Sequence, residues 1–494
     1  MDNEQFNSLR LISAFRRKTE GTKISKSPTN DSFVSPSEFK LDPNLMTRMY
    51  FTGVCPWKDI STPHLFYTIP FDHSLDDPVS KFIFPNGCRH EKLQFHTTGD
   101  LIKEIITLPD INDLEFFTLY FPTIEAAPFF HCCVFMGNPF SMPSFTHDLN
   151  IEDLFSLIQN HSMPSTEMAI CIQSQYKNAT VFYEFMKWII ESERIGRMSI
   201  TPFLELFIQL NSITMTNVEK MFGPDASKLW PDMHRQRILT VLPNCIYSML
   251  PDIGDKFIID YPPFPNFEWQ RDSGLKGDLL FFKNCLEKLV EKFEPMEYIS
   301  LLSALLAERT IIVYSSSRSV VANSIYALHA MLLPLNWVST TISLLPADLM
   351  DILDSPAPLI AGETMWPIVS PKDAVVLNLD KCEYTFPKDL VMYPTASQLK
   401  KRLKPLFVEK KIPEIINLTS MTIKELIFPV KVSIMTDYTD KNNPGSRFVY
   451  ELFMKNFPVT SRKFIDAMAS TQMLRFYIEL ECRKKSSEFL IPSS

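Results

Sequence analysis

Apolar positions along the chain fall into blocks of two different periods. Thr180 to Ile190 has apolar residues at 181, 182, 185, 186, 189 and 190, the stripe of an amphipathic helix. Glu115 to Phe121 and Phe130 to Met136 are aromatic-rich runs separated by Pro122 to Phe129, and they predict a hairpin with a long loop. Phe82-Ile83-Phe84 before Pro85-Asn86-Gly87 reads as a short strand ending in a turn, and Met168 to Ile172 as another strand. Strands with helices behind them describe a small α+β unit from about Leu65 to Glu193.

The pattern is clearest over 278–380. Asp278 is placed to cap a helix from Leu279 to Phe293, and Glu294-Pro295 to break it and start a second from Met296 to Glu308. Then follow a strand over Thr310 to Tyr314, a turn over Ser315-Ser316-Ser317, a helix over Val320 to Leu333 and a strand over Trp337 to Leu344. A helical turn over Asp348 to Leu353 and strands over Leu359 to Ala361 and Ala374 to Leu379 complete the series. Strands alternating with helices at these lengths predict an α/β unit with a largely parallel sheet and helices on both faces.

The remaining segments are plainer. Residues 194–250 read as helix and loop, Phe257 to Ile259 with Pro262 to Pro265 as an ordered crossing segment, and 395–485 as mostly helical, chiefly over Phe448 to Phe457 and Ser461 to Cys482. Residues 1–40 read as a tail. Phe6, Leu9, Ile12 and Phe15 recur beside Arg10, Arg16 and Arg17. That spacing fits a basic amphipathic helix on an anionic membrane, or a tail packed on its own protein.

Composition narrows the chemistry. The chain has 494 residues, 45% hydrophobic and 21% charged, a globular class of two to four units. A net charge of −8 argues against a surface built to coat nucleic acid, so no nucleic-acid partner is expected. Nine scattered cysteines without a C-x-x-C pair indicate a reducing, cytoplasmic setting, and no apolar run follows Met1-Asp2-Asn3-Glu4 as in a signal peptide. Cys88, His90, His131, Cys132 and Cys133 form the best metal candidate, but Cys132 and Cys133 point to opposite faces of a strand, and buried thiols are expected instead. From Ser319 to Ala347 no charged residue occurs, yet polar residues and Pro334 divide the run into a buried helix and strand.

No P-loop, dinucleotide fingerprint, nucleophile elbow or zincin motif is present. Ser315 to Ser317 sit between strand and helix without the glycines of an elbow, which makes them helix-cap residues rather than nucleophiles. Asp348, Asp351 and Asp354 share a helix face and read as a solvated edge. An α/β scaffold without a catalytic constellation favours a protein-binding module over a metabolic enzyme.

An ordered pattern across Leu301 to Glu363 gives that inference a family. Leu301-Leu302, Leu305-Leu306, Glu308-Arg309, Ile311 to Ser315, Leu332-Leu333-Pro334, Trp337, Leu345-Pro346 and Ser355-Pro356-Ala357-Pro358-Leu359-Ile360-Ala361-Gly362 resemble the central DENN domain. Phe84 to Gly87 with the following hairpin resembles the upstream DENN unit, which is longin-like in that family. Phe464 to Ile478 resembles the helical downstream unit, and Asn378 replaces an Asp expected in the strand after the core. The resemblance runs from about 62 to 482 and implies a tripartite chain. Its expected parts are a lead-in (1–61), an upstream unit (62–193), a helical connection (194–250), a central unit (251–380), a helical downstream unit (381–485) and a polar tail (486–494).

What the resemblance implies is a guanine-nucleotide exchange factor for a Rab-family small GTPase, working in vesicle traffic on the cytoplasmic side of endomembranes. The GTPase switch regions would enter the cleft between the upstream and central units. Exchange needs no nucleophile, cofactor or metal, only tighter binding of the nucleotide-free GTPase. Glu308, Arg309, Ser315, Trp337, Pro346, Pro356, Pro358 and Gly362 carry the family signature and are the candidate site residues, none of them catalytic. The alternatives are a GTPase-binding scaffold without exchange, and a GTPase-activating protein supplying an arginine, for which Arg89 is the candidate.

Overall fold

The computed structural model describes residues 44–54, 62–70, 77, 79–106, 111–120, 129–138, 160–176, 178–198, 241–246, 248–262, 264–271, 284–366, 371–437 and 445–488. Strands β1 (Arg48–Gly53), β2 (His64–Ile69), β3 (His90–Gln94), β4 (Glu115–Tyr120), β5 (Phe129–Gly137) and β6 (Ser162–Ser174) form an antiparallel sheet in the order β2-β1-β6-β5-β4, with β3 also paired to β6. The expected hairpin is β4–β5, in register Phe117 to Cys132. β5 is apolar except for His131, because both its faces are covered. Phe130, Cys132 and Val134 enter one core, while Cys133 and Phe135 enter another on the opposite side.

Among the described residues, three helices belong with this sheet: α1 (Ser80–Ile83), α2 (Thr98–Ile106) and α3 (Thr180–Met198). The predicted stripe of α3, Val181, Phe182, Phe185, Met186, Ile189 and Ile190, covers the Cys133 face. The strand expected at Phe82 is instead α1. The Asp77 carboxylate accepts the N–H groups of Val79 (3.2 Å) and Ser80 (2.9 Å), which winds a helical turn that ends at Phe84. Gly87, at φ +79°, then closes the predicted turn with its N–H on Phe84 O at 3.1 Å.

The short helix α4 (Leu242–Ile246) precedes a hairpin, β7 (Lys256–Ile259) with β8 (Phe267–Gln270). The proline cluster expected to cross as an extended segment connects these two strands. It is pinned by Trp188 Nε1 donating to Pro265 O at 2.6 Å. Most of the 194–250 connection and the Asp278 cap lie outside the described residues, and 284–290 are helical.

The second sheet starts from α5 (Pro295–Leu306), whose Glu294 and Glu297 form a reciprocal capping box with Pro295 at the first helical position. Around it run β9 (Ile311–Tyr314), α6 (Arg318–Met331), β10 (Thr340–Ile342), β11 (Leu359–Glu363), β12 (Val375–Asn378) and β13 (Glu383–Thr385). The order is β10-β11-β9-β12-β13, parallel through β12 and antiparallel at the β13 edge. The parallel sheet is thus four strands with one antiparallel neighbour. α6 covers one face. On the other lies a 3₁₀ helix over Ala347–Asp354, with Leu349, Met350 and Leu353 against Ile312 and Ala361. The strand expected from Trp337 shortens to β10, because Trp337 turns its indole N–H back onto Thr340 O at 3.3 Å.

The rest is mostly helical, as expected: α7 (Ala396–Val408), α8 (Ile412–Val432), α9 (Tyr450–Lys455), α10 (Arg462–Ala469) and α11 (Gln472–Glu488), with an unforeseen hairpin of β14 (Ile434–Asp437) and β15 (Gly445–Phe448). The helix expected over Ser461 to Cys482 is two helices, because Thr471 Oγ1 accepts the Leu474 N–H at 3.2 Å and caps the second. One apolar core runs through all three parts, from Phe117 and Cys171 through Leu302 and Val313 to Ile423 and Phe464. No helix among the described residues is long and apolar enough to cross a membrane.

Candidate functional site

Parallel sheets bind ligands beyond the carboxyl ends of their strands. Here those ends face the antiparallel sheet. After β10, Ser343 Oγ accepts the Tyr120 N–H at 3.1 Å, and after β11, Thr364 Oγ1 accepts Asn86 Nδ2 at 2.7 Å. Ala347 N–H donates to Pro85 O at 3.1 Å, and Lys81 pairs with Asp348 at 3.2 Å across exposed surface. After β9, Ser315 Oγ and the Ser316 N–H both donate to Asp380, which follows β12 (2.6 and 2.8 Å). A polar seam therefore joins the two sheets along the strand ends.

Its centre is Arg318, in the first turn of α6. Nε donates to Glu115 on β4 at 2.9 Å and Nη2 to Glu167 on β6 at 2.6 Å, while the guanidinium lies 5.7 Å from the Phe84 ring centre. Glu115 also accepts Ser317 Oγ (3.0 Å) and the Ser319 N–H (2.8 Å). Burial pushes the Glu167 carboxyl up, but the Arg318 hydrogen bond and charge, with the Arg89 N–H, bring it below its ordinary value. Glu363, at the end of β11, is buried without such help. Its Oε1 has no hydrogen-bond partner, and burial pushes it up to about 7. In register across the sheet stand Tyr314 and Asn378, and Asn378 Nδ2 also lacks a partner.

The structure disperses the residues singled out by sequence. Ser315, Pro346 and Gly362 lie at or behind the seam, all buried. Ser317 Oγ accepts from Val320 N, the helix cap expected of the serine cluster. A Cβ on Gly362 would overlap Ser343 O and Val321 Cγ1 and come within 2.8 Å of Ile325 Cδ1, so this glycine lets α6 sit on the sheet. Arg89 lies at the seam, its side chain 70% exposed, with its guanidinium 3.3 Å from Glu167. Glu308 and Arg309 are on the side of the C-terminal helices. Glu308 accepts the N–H groups of Gln472 (2.8 Å) and Met473 (2.6 Å), and Arg309 pairs with Asp389 at 2.6 Å. Trp337 is buried, Pro356 is exposed and Pro358 half-buried before β11.

Sequence reasoning missed Glu115, Glu167, Arg318 and Trp366. Trp366 is 46% exposed beside Thr364 and packs on Tyr314, ring centres 5.1 Å apart. A charged triplet spread over 115, 167 and 318 carries no local spacing signal. The metal candidates also separate. His131 is buried between Thr118 Oγ1 (3.0 Å) and Tyr176 O (3.1 Å), and burial pushes its pKa down to about 3. Cys132 bonds to Cys171 Sγ at 3.4 Å, and Cys133 lies in the other core. No group of three or more metal-ligating side chains occurs among the described residues.

A family model described as the DENN (AEX-3) domain matches residues 165–382, from within β6 to just past β12. DENN domain-containing protein 2C of Homo sapiens is 28% identical over 259 residues, which are 49% of this chain and 26% of that protein. Residues 165–382 of this chain are thus similar to a DENN domain. The match takes in about a quarter of the relative's length. The family model is narrower than the resemblance from 62 to 482: it contains Glu167, Arg318 and Trp366 and leaves Arg89 and Glu115 outside.

Proposed function

We propose that this chain promotes GDP release from a Rab-family small GTPase, gripping its switch regions at the seam between the two sheets. The DENN domain match over residues 165–382 carries the reading. The antiparallel sheet is read as the longin-like upstream part of a tripartite arrangement, and the C-terminal helices as its downstream part. The work would be done at endomembranes, with the 1–40 tail as a peripheral contact. The chemistry fits: polar side chains at the strand ends and an exposed Trp366 as an aromatic anchor. Release requires preference for the nucleotide-free GTPase. Moving that equilibrium from 1:99 to 99:1 takes about a 10⁴-fold difference in affinity.

Release of a fluorescent GDP analogue from a panel of small GTPases tests the reading. Acceleration for one or two members is expected, with Trp366→Ala lowering it. Stable binding without acceleration would replace exchange by a scaffold. The activating alternative requires Arg89 to leave the buried Glu167 carboxylate that holds both its guanidinium and its N–H (2.9 Å). Single-turnover GTP hydrolysis stimulated by the chain and lost in Arg89→Ala would establish it.

A further inference from the structure

α8 buries one side and leaves another bare. Met421, Phe428 and Val432 are exposed at positions i, i+7 and i+11, Phe428 at 64%, so they share one face of the helix. Large apolar side chains grouped on a surface mark a contact. Beside Phe428 a concave groove of about 560 Å³ runs between α8 and α11, floored by Leu335, Ile427, Phe476, Tyr477 and Leu480. None of its lining residues belongs to the seam.

The groove is also cationic. Lys424 and Lys431 stand on α8, and Lys484 on α11. Glu481 is the acidic lining residue among the described ones, and Lys431 (3.6 Å) and Lys484 (2.8 Å) share it. Lys424 makes no ion pair among the described residues. This excess of positive charge sits on a chain whose net charge is −8.

Shape and charge select the occupant. A bilayer is met by a convex apolar surface, whereas this one is concave. A second copy would set the same three lysines against each other. We propose that the groove docks an acidic amphipathic helix of a protein partner, its apolar side chains over Phe428 and two carboxylates seven residues apart against Lys424 and Lys431. Seven residues span about 10 Å along either helix, so the two charge rows keep step.

The test uses the full chain and a display library of short amphipathic helices, with counter-selection on the Phe428→Ser chain. All three substitution sites, Phe428, Lys424 and Lys431, are exposed, and circular dichroism confirms the fold of each variant. Enriched peptides are expected to carry Asp or Glu at seven-residue spacing beside Leu, Met or Phe. Their affinity should fall about tenfold or more for Phe428→Ser and for the double variant Lys424→Glu, Lys431→Glu. Absence of enrichment, or enriched peptides indifferent to the charge reversal, would overturn the proposal. So would self-association by sedimentation that disappears in Phe428→Ser, which assigns the groove to a second copy. Flotation with phosphatidylserine vesicles that depends on Phe428 would assign it to a membrane.

Discussion

Each sheet buries one glutamate near the seam, and the two are held in opposite ways. Glu167 on β6 is 3% exposed and Glu363 on β11 is 2% exposed, so desolvation acts hard on both. Glu167 has the Arg318 guanidinium at 2.6 Å and titrates below its ordinary value, while Glu363 has an oxygen without a partner and is pushed up to about 7. Burial alone keeps a carboxyl protonated, and a placed cation reverses that. Glu308 falls between them. It receives two backbone N–H groups and a distant Arg475, which offset its burial only in part, and its pKa stays raised. Two amide dipoles and a distant cation do less than the Arg318 guanidinium with Arg89 beside it.

Removing the cation should have the largest effect. Arg318→Met leaves the buried Glu167 with only the exposed Arg89 and its N–H and frees Glu115, and a loss of about 3 kcal/mol is expected by chemical denaturation. A loss below about 1 kcal/mol would mean that the seam does not depend on this ion cluster. Glu363 gives the opposite sign. Its folded pKa lies above the ordinary carboxyl value, so the folded chain holds the extra proton. Stability should therefore decline as pH rises from about 4 to about 7 and level off above. Glu363→Gln abolishes that decline and should be more stable than the parent at pH 8, by about 1–3 kcal/mol. Parallel pH profiles for parent and variant would remove Glu363 from the comparison.

Glu308 sharpens it further. The residue sits at φ +47°, a left-handed conformation that suits glycine. Glu308→Ala removes the acceptor of two N–H groups at the start of α11, leaves Thr471 in place and keeps the strain, for a loss of about 1–2 kcal/mol. Glu308→Gly should recover about 1 kcal/mol of it, and equal melting temperatures for the two variants would contradict the assignment. The smallest effect belongs to Asn86→Ala, which removes an exposed bond to Thr364 and should cost less than about 1 kcal/mol. A larger loss in that variant would show the seam to be more cooperative than its separate contacts suggest.

The parallel sheet was legible because its period and punctuation agree. Ile311 to Val313 is β-branched throughout, Pro334 and Pro346 stop the preceding elements, and Ser317 caps α6 where the serine cluster predicted a cap. The α1 turn was not legible, because Phe82, Ile83 and Phe84 look alike as helix or strand, and the deciding acceptor is the Asp77 side chain. The site was harder still. Family-signature positions such as Gly362 and Glu308 mark close packing and helix capping, whereas the seam charges come together only when α6 packs against β4 and β6. Trp337 carries the family signature and is buried, whereas the exposed indole at the seam is Trp366. Burial is settled by how strands pair and what covers them, which local sequence does not encode.

Two helices among the described residues begin on a borrowed carboxylate. Glu115 from the antiparallel sheet accepts the Ser319 N–H at the start of α6, and Glu308 from beside the parallel sheet accepts two N–H groups at the start of α11. The first turn of a helix has amide groups that its own backbone leaves unsatisfied. At both places an acceptor arrives from a part of the chain far away in sequence and adds to the local cap, so these two helices do not complete their starts alone. The unit of folding is accordingly larger than any single sheet or helical group. A fragment cut between them should melt early and exchange its α6 or α11 amide hydrogens fast, even where every residue of the helix itself has been kept.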